Sequence, residues 1–290
     1  MRDAVVRSML WEGTLQLVWD FPAVDGPGRA DRTTIVMVHG FRGDHHGLLR
    51  LVEELPAHRV LLPDLPGFGQ GQELPGSHDV GTYARFVRDT ARGFAPGPLV
   101  VLGHSFGSIV AAEAAALDPD LAGALVLVNP ISAPALEGPS RVASRIAETY
   151  YVAADRLPEA AGRALLSNPV IVRGMSMFMA KTKDRTLRRW IHGQHDAYFS
   201  SFASRRVVLE AFRASISGTV RDRARDLVMP VLLIAAEQDD IGSVASQREL
   251  AALIPHATLE VIPDVGHLVH YEKPREAALL IEDFLESVPA

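Results

Sequence analysis

Short apolar runs alternate with helix-like segments along much of the chain. Near the start, Leu15, Leu17 and Trp19 alternate with polar positions and predict a half-buried antiparallel strand. Four later runs are apolar at nearly every position, as in strands of a parallel sheet covered on both faces, at 33–40, 59–64, 98–105 and 124–129. In segment 79–94 the apolar residues follow helical spacing, with one stripe formed by Val80, Tyr83, Val87 and Ala91. Alternating strands and helices imply right-handed βαβ connections, so the pattern predicts a doubly wound, mostly parallel α/β sheet.

This alternation is interrupted once. No strand-like run occurs between residues 131 and 225, where helical stretches are broken by Gly and Pro. Strands and helices then return, and the last helix is predicted over 274–288. We therefore predict an α/β core from residues 1–130 and 226–290, with a helical lid from residues 131–225 inserted after the sixth strand. Such an insertion would cover the carboxyl edge of the sheet, where folds of this class bind ligands.

The composition indicates a globular protein without disulfides. Of its 290 residues 48% are hydrophobic, which at this length is ample for a large core. The absence of Cys excludes a disulfide framework, thiolate-bound zinc and a cysteine nucleophile. The net charge of −6 argues against binding to nucleic acid. No stretch approaches the roughly 18 apolar residues of a membrane span, and residues 1–20 lack the apolar core of a signal peptide, so we expect a cytoplasmic protein without membrane insertion.

Residues 100–115 contain the motif with the clearest chemical meaning. Residues 103–107, Gly-His-Ser-Phe-Gly, fit the pattern G-x-S-x-G between a predicted strand and an Ala-rich helix. A strand that turns sharply into a helix needs residues without bulk on either side of the turn, which the two Gly provide. The turn is predicted to expose Ser105 as a nucleophile at the start of the helix. There the N–H of Phe106 and the helix dipole would help to bind an oxyanion.

Four segments, taken in their order along the chain, carry a more specific signal. They are VMVHGFRG (36–43), LPDLPGFGQG (62–71), GHSFG (103–107) and the pair AAEQDDIG (235–242) with VGHLVHYEKP (265–274). Together they resemble the α/β-hydrolase superfamily, specifically its lid-bearing branch of esterases and meta-cleavage-product hydrolases. The resemblance covers nearly the whole chain outside the predicted lid. It implies an α/β-hydrolase fold and a serine hydrolase that needs no cofactor.

A serine nucleophile needs a base and an acid that orients the base. His267 matches the catalytic His of the resembled family, in the chain order Ser, acid, His. His104 adjoins Ser105, but neighbouring residues on such a turn point apart. Asp239 aligns with the acid of the family, although Ala236 stands where Gly is usual there. The alternatives that stay open are His270 for the base, and Asp240 or Glu237 for the acid.

The segment HGFRGDHHG, residues 39–47, allows two interpretations. In the resembled family the residue after His-Gly donates its backbone N–H to the oxyanion hole, which makes Phe41 and Phe106 the expected pair. The competing interpretation is a metal site. Metal ligation needs convergent ligands, and no second His/Asp cluster appears downstream, so we expect no metal. The ligands in this competing metal-site interpretation would be His39, Asp44, His45 and His46.

The predicted lid suggests an apolar small-molecule substrate. Met175, Phe178 and Met179 would provide an adaptable apolar surface, or else serve as the core of the lid. We expect an esterase of apolar carboxylic esters. The alternatives are a carbon–carbon bond hydrolase of ring-fission products, which uses the same triad, and a non-catalytic protein that binds a ligand. The sequence does not reveal the oligomeric state.

Overall fold

The computed structural model describes residues 2–24, 33–135 and 141–288, and forms one eight-stranded sheet. The strands are β1 (Val5–Trp11), β2 (Thr14–Phe21), β3 (Thr34–Val38), β4 (Arg59–Pro63), β5 (Leu99–His104), β6 (Ala124–Val128), β7 (Val231–Ala236) and β8 (Ala257–Ile262). Their order across the sheet is β1-β2-β4-β3-β5-β6-β7-β8. The pairs β1–β2 and β2–β4 are antiparallel and all the others are parallel, so the predicted, mostly parallel sheet is confirmed.

Helices pack on both faces of the sheet. They are α1 (Leu49–Glu53), α2 (Val80–Phe94), α3 (Phe106–Leu117), α4 (Arg141–Arg156), α5 (Glu159–Leu166), α6 (Pro169–Met179), α7 (Arg185–Tyr198), α8 (Arg205–Ser217), α9 (Val244–Leu253), α10 (Val269–Glu272) and α11 (Pro274–Ser287). Within the described part of the chain, no helix is long and apolar enough to cross a bilayer.

The two faces of the sheet explain why the strand runs are apolar throughout. Val36 and Val38 of β3 pack in the same apolar cluster as α2 and α3. Ile35 and Met37 point the other way and pack in the cluster that contains α1 and α11. Since successive residues of a strand face opposite sides, a strand covered on both sides has no polar positions to alternate with.

Helices α4 to α8 all lie between β6 and β7. Three of them begin at a side chain that caps their free N–H groups: Asn168 at α6, Asp184 at α7 and Ser204 at α8. The described residues of the segment 131–225 form no strand, only a single bridge between Phe68 and Phe202. The predicted lid also includes residues 136–140, which lie outside the described residues.

Arg42 ties these helices to the core. Its guanidinium is buried, and it donates from Nε to the carbonyl of Phe199 at 3.1 Å and from Nη2 to the carbonyl of Leu166 at 2.8 Å. The guanidinium also lies 4.5 Å from the centroid of the Phe199 ring. The loop after β3 is therefore attached to the ends of α5 and α7, directly above the sheet.

Strand β2 departs from the burial predicted for it. Leu15 is 45% exposed, whereas Gln16 is fully buried. The Gln16 amide donates to the carbonyl of Gln72 at 3.0 Å and to Thr14 Oγ1 at 2.7 Å. Polar partners thus allow Gln16 to occupy the buried position, and the prediction of a buried Leu15 is wrong.

Candidate active site

The turn between β5 and α3 holds Ser105 in a strained conformation. Its φ of 54° and ψ of −121° lie in a region that residues with a side chain rarely adopt. The strand and helix approach closely here, so that a Cβ on Gly103 would overlap the carbonyl of Gly107, and a Cβ on Gly107 would overlap the carbonyl of Val38. Only glycine fits at both positions, and the resulting turn places Ser105 at the start of α3.

Ser105, His267 and Asp239 are joined by two hydrogen bonds. Ser105 Oγ lies 2.7 Å from His267 Nε2, and His267 Nδ1 lies 2.8 Å from Asp239 Oδ2. A carboxylate only accepts hydrogen bonds, so Nδ1 carries the proton and Nε2 is left to accept from the Ser105 hydroxyl. The imidazole and the carboxylate are both buried. This arrangement can withdraw a proton from Ser105 as its oxygen attacks an electrophile.

Two further N–H groups hold the carboxylate of Asp239. Asn129 Nδ2 donates to Oδ2 at 2.8 Å, and the backbone N–H of Ile241 donates to Oδ1 at 2.8 Å. Burial acts to raise the pKa of Asp239, but the charge of His267 and these hydrogen bonds outweigh it and hold that pKa below its ordinary value. Asp239 is therefore a carboxylate at neutral pH.

Asn129 carries no motif, and its contact with Asp239 is visible only in the structure. It directly follows β6, which lies between β5 and β7, so it reaches the same sheet edge as Ser105 and Asp239. Its φ of 47° is left-handed, a conformation that Asn tolerates better than most residues. A polar residue of this kind, directly after a buried strand, is the signal that could have identified it.

The other acid candidates have different partners. Asp240 forms an ion pair with Lys181, with 2.5 Å between Oδ2 and Nζ, and its side chain is half exposed. Glu237 accepts the backbone N–H of Asp264 at 3.0 Å. The structure thus places Asp239, and neither of these two carboxylates, against His267.

Two further imidazoles lie beside His267. His104 Nε2 donates to the carbonyl oxygen of His267 at 3.2 Å, and the His270 ring centroid lies 4.0 Å from that of His104. Burial lowers the pKa of both His104 and His270, that of His104 to about 3, so both are neutral. Among the described residues, His267 alone hydrogen-bonds the Ser105 hydroxyl.

Phe41 and Phe106, the two residues predicted for the oxyanion hole, both line the cavity that contains Ser105. The loop after β3 lies against the turn at Gly40. A Cβ built on Gly40 would be only 3.3 Å from Ser105 Cβ, so the glycine permits this close approach. The N–H of Phe106 belongs to the first turn of α3, where backbone N–H groups have no acceptor within the helix. The site can therefore present backbone N–H groups to a negative charge beside Ser105.

The alternative metal site is only partly assembled. The ligand atoms of Asp44, His45 and His46 lie within 4.8 Å of one another. His39 does not join them, because its Nε2 accepts a backbone N–H at 2.9 Å. His46 Nδ1 lies 3.1 Å from Asp44, and His45 Nδ1 lies 2.9 Å from Asp64. His45 and His46 thus each already have a carboxylate partner within the protein.

A cavity of about 990 Å³ lies above Ser105. Of the three lid residues predicted to contact the substrate, Phe178 and Met179 line this cavity, whereas half-buried Met175 is not among the lining residues. Met179 also packs against the apolar cluster of Ala180, Ile191, Leu268 and Tyr271. Another side of the cavity is mostly apolar. It is lined by residues of the loop after β6, Ile131 and Ala135, and by residues of α8, Phe212 and Ile216.

Comparisons with known proteins agree with this fold. The family of the α/β hydrolase fold matches residues 33–274, so the chain belongs to that family, and the predicted family and fold are confirmed. The lipase LipV of Mycobacterium tuberculosis is 31% identical over 274 residues, which cover 90% of this chain and 94% of the lipase. The pimeloyl-[acyl-carrier protein] methyl ester esterase of Xanthomonas axonopodis pv. citri is 29% identical, covering 88% of this chain and 96% of the esterase. Among solved structures, a thermophilic esterase from Thermogutta terrifontis has a TM-score of 0.76 at 22% identity, covering 99% of this chain and all of that one.

Proposed function

We propose that this protein is a serine hydrolase of carboxylic esters, with Ser105, His267 and Asp239 as its catalytic triad. The proposal depends on one observation, the chain of hydrogen bonds from Ser105 Oγ through His267 to Asp239 beside a cavity of about 990 Å³. The lipase and the methyl ester esterase among the relatives support hydrolysis of an ester. The nucleophile, the base, the acid that orients the base and the oxyanion donors of this mechanism all belong to the chain itself.

In the acylation step, Ser105 Oγ attacks the carbonyl carbon of the ester while His267 Nε2 takes the hydroxyl proton. The electron pair of the C=O bond moves to its oxygen, where the N–H groups of Phe41 and Phe106 stabilise the charge. Loss of one such donor typically costs about 3 kcal/mol. As the intermediate collapses, the bond to the alcohol oxygen breaks and His267 returns the proton to that oxygen.

Water completes the reaction. His267 Nε2 takes a proton from a water molecule whose oxygen attacks the acyl carbon, and the same two N–H groups stabilise the second oxyanion. The bond to Ser105 Oγ then breaks, His267 protonates Oγ, and the carboxylic acid leaves. Throughout, Asp239 orients His267 and stabilises its positive charge.

The apolar side of the cavity supports an apolar acyl group as substrate. Phe41, beside the proposed oxyanion position, packs against Phe212 of α8 with 5.7 Å between ring centroids. Ile131 and Ile216 continue this apolar lining. Burying a hydrocarbon chain here would gain about 25 cal/mol per Å² of apolar surface removed from water.

Helices α4 to α8 would form a lid over this cavity, with the remaining described strands and helices as the core. Residues of α6, α7 and α8 line the cavity above Ser105, including Met179, His195 and Phe212. Arg42 anchors the ends of α5 and α7 to the core. In this proposal a substrate enters between the lid and the edge of the sheet.

A fluorophosphonate probe tests the nucleophile directly. We expect it to label Ser105 covalently, located by mass spectrometry, and to leave Ser105→Ala unlabelled. Both proteins should also be assayed with p-nitrophenyl butyrate. A folded wild-type protein that neither reacts with the probe nor hydrolyses any ester of a broad panel would contradict the proposal and favour a ligand-binding protein.

A further inference from the structure

One end of the cavity is polar, in contrast to the side lined by α8. Asp44, His195 and Tyr271 line it, and each is more than nine-tenths buried, with 2%, 7% and 5% of its surface exposed. Among the described residues, no hydrogen bond joins a protein group to Asp44 Oδ2, His195 Nε2 or the Tyr271 hydroxyl. These three residues line the cavity and these atoms have unused hydrogen-bonding capacity, so a polar ligand inside the cavity can pair with them.

His195 is held firmly in place by neighbours in the same group of helices. Its Nδ1 lies 2.7 Å from Ser176 Oγ, which also lies 2.6 Å from His192 Nδ1. The serine hydroxyl has one proton, so it donates to one imidazole and accepts from the other. With Nδ1 engaged, Nε2 is the nitrogen of His195 left for a ligand. Burial lowers the pKa of His195 to about 4, so the ring is neutral.

Tyr271 brings a phenol to the same end of the cavity. Its ring lies 5.7 Å from that of His195 and 4.2 Å from that of His270, measured between centroids. Gly47 lies beside the Tyr271 hydroxyl, because a Cβ built on Gly47 would be 3.7 Å from it. Burial, together with the charge of Asp44, raises the pKa of Tyr271 and keeps the phenol protonated.

Asp44 places a negative charge near Tyr271. Asp44 Oδ1 accepts the N–H and Nδ1 of His46, which leaves Oδ2 as a carboxylate oxygen without a donor. Arg42, two residues earlier, lines the same cavity; its Nε and Nη2 donate to backbone carbonyls, and its buried Nη1 has no hydrogen-bond partner among the described residues. Beside Tyr271 a bound carboxylate would meet repulsion from Asp44, whereas an alcohol can donate to Asp44 and accept from Tyr271.

We infer that Asp44, His195 and Tyr271 form a subsite for an uncharged, hydroxyl-bearing alcohol part of the ester. This inference rests on the proposed hydrolase function. His267 must protonate the leaving alcohol oxygen, so the alcohol lies on the side of His267. Tyr271 belongs to the same segment as His267, and the rings of His104 and His270 connect the two. The acyl chain then occupies the apolar side, next to Phe41.

Matched octanoate esters test this subsite. The 2-hydroxyethyl and 4-hydroxybutyl esters have nearly the same shape as the propyl and pentyl esters but carry a terminal hydroxyl. In at least one pair we expect kcat/KM of the wild-type protein to favour the hydroxyl ester by about three- to tenfold, the value of one net hydrogen bond. The carboxymethyl ester should be poorer than the 2-hydroxyethyl ester by about tenfold or more, because of Asp44.

Two variants assign the preference to these residues. Tyr271→Phe removes only the hydroxyl and should reduce the preference in that pair to about twofold or less. Asp44→Asn can still cap the turn that follows it and should improve the carboxymethyl ester relative to the others. The matched control is Tyr150→Phe, because the Tyr150 hydroxyl donates to the carbonyl of Leu165 and is not among the cavity-lining groups. It should leave the ester ratios as in the wild type.

Three results would overturn the subsite while leaving the hydrolase intact. They are equal rates for hydroxyl and alkyl esters in both pairs, a preference that Tyr271→Phe does not change, and a choline ester turned over faster than the hydroxyl esters. The last would assign the subsite to a cation. Failure of the hydrolase itself is distinguishable, since no ester would then be cleaved and the fluorophosphonate would not label Ser105.

Discussion

Replacing Asp239 with Asn should remove most of the ester hydrolysis while the protein stays folded. The Asp239 carboxylate accepts three N–H groups at 2.8 Å, from His267 Nδ1, Asn129 Nδ2 and the backbone of Ile241. An Asn side chain offers one acceptor oxygen in place of two, so in either orientation its NH₂ group faces an existing donor. The variant therefore loses the negative charge and at least one of these hydrogen bonds, since Oδ2 accepts two of the N–H groups and Oδ1 accepts one.

The size of the effect follows from the charge. During the reaction His267 becomes positive, with its charge centre about 4 Å from that of Asp239. At an effective dielectric constant of about 20 the attraction is about 4 kcal/mol, which corresponds to about 10³ in rate. If the substitution also reverses the His267 tautomer, the loss approaches about 10⁴. The mismatched donor should lower the free energy of unfolding by about 1–3 kcal/mol.

The matched control is Asp240→Asn, because Asp240 pairs with Lys181 and is half exposed. Its kcat/KM for p-nitrophenyl butyrate should stay within about threefold of the wild-type value, since Asp240 hydrogen-bonds neither His267 nor Ser105. Circular dichroism and urea unfolding would verify that both variants are folded. If Asp239→Asn retains more than about a tenth of wild-type activity, or if Asp240→Asn loses as much, the reasoning from the hydrogen bonds is refuted.

Three further predictions concern stability, each measured by urea unfolding. Gly107→Ala should lower the free energy of unfolding by more than about 3 kcal/mol, because its Cβ would overlap a carbonyl oxygen. Gly93→Ala, in α2 with open space around its Cβ, should instead raise it by about 0.5–1 kcal/mol, and equal effects would contradict the packing argument. Asp20→Asn should cost about 1–3 kcal/mol at pH 7. Hydrogen bonds from two arginines outweigh burial and hold the pKa of Asp20 below its ordinary value, so this cost should be present above about pH 4 and vanish as the pH falls through the folded-state pKa. Burial lowers the pKa of His195 to about 4, so stability should decrease as the pH falls from about 6.5 to 4, and His195→Gln should reduce that slope by about 1.4 kcal/mol per pH unit. Identical slopes would contradict the burial argument.

The fold could be predicted because the strands carry a strong signal. A strand covered on both faces is apolar at every position, as Ile35 and Val36 show by packing on opposite faces of the sheet. The position of Ser105 was predictable for a steric reason, since only Gly fits at Gly103 and Gly107. These features depend on local sequence alone, and the structure places the corresponding elements within a few residues of their predicted ends.

The polar end of the cavity could not be predicted, because its residues come from distant parts of the chain. Asp44 follows β3, Ser176 and His195 belong to α6 and α7, and Tyr271 belongs to α10. Asp44 and Tyr271 belong to the segments HGFRGDHHG and VGHLVHYEKP, but neither segment indicates this subsite, and the meeting of these residues depends on how α6 and α7 pack above the sheet. Hydrophobic periodicity predicts that a helix buries one face, but not which partner it meets.

The row of imidazoles beside Ser105 shows how the fold could direct a proton to one place. His104 lies 5.4 Å from His267 and 4.0 Å from His270, measured between ring centroids, so three bases compete within a short distance. Burial lowers the pKa of His104 to about 3 and that of His270 well below its ordinary value, and neither has a carboxylate partner among the described residues. His267 is buried as well, but Asp239 supplies the negative charge that stabilises its imidazolium form. In the proposed reaction, a proton that leaves Ser105 therefore has one favourable acceptor, and that acceptor also faces the leaving group.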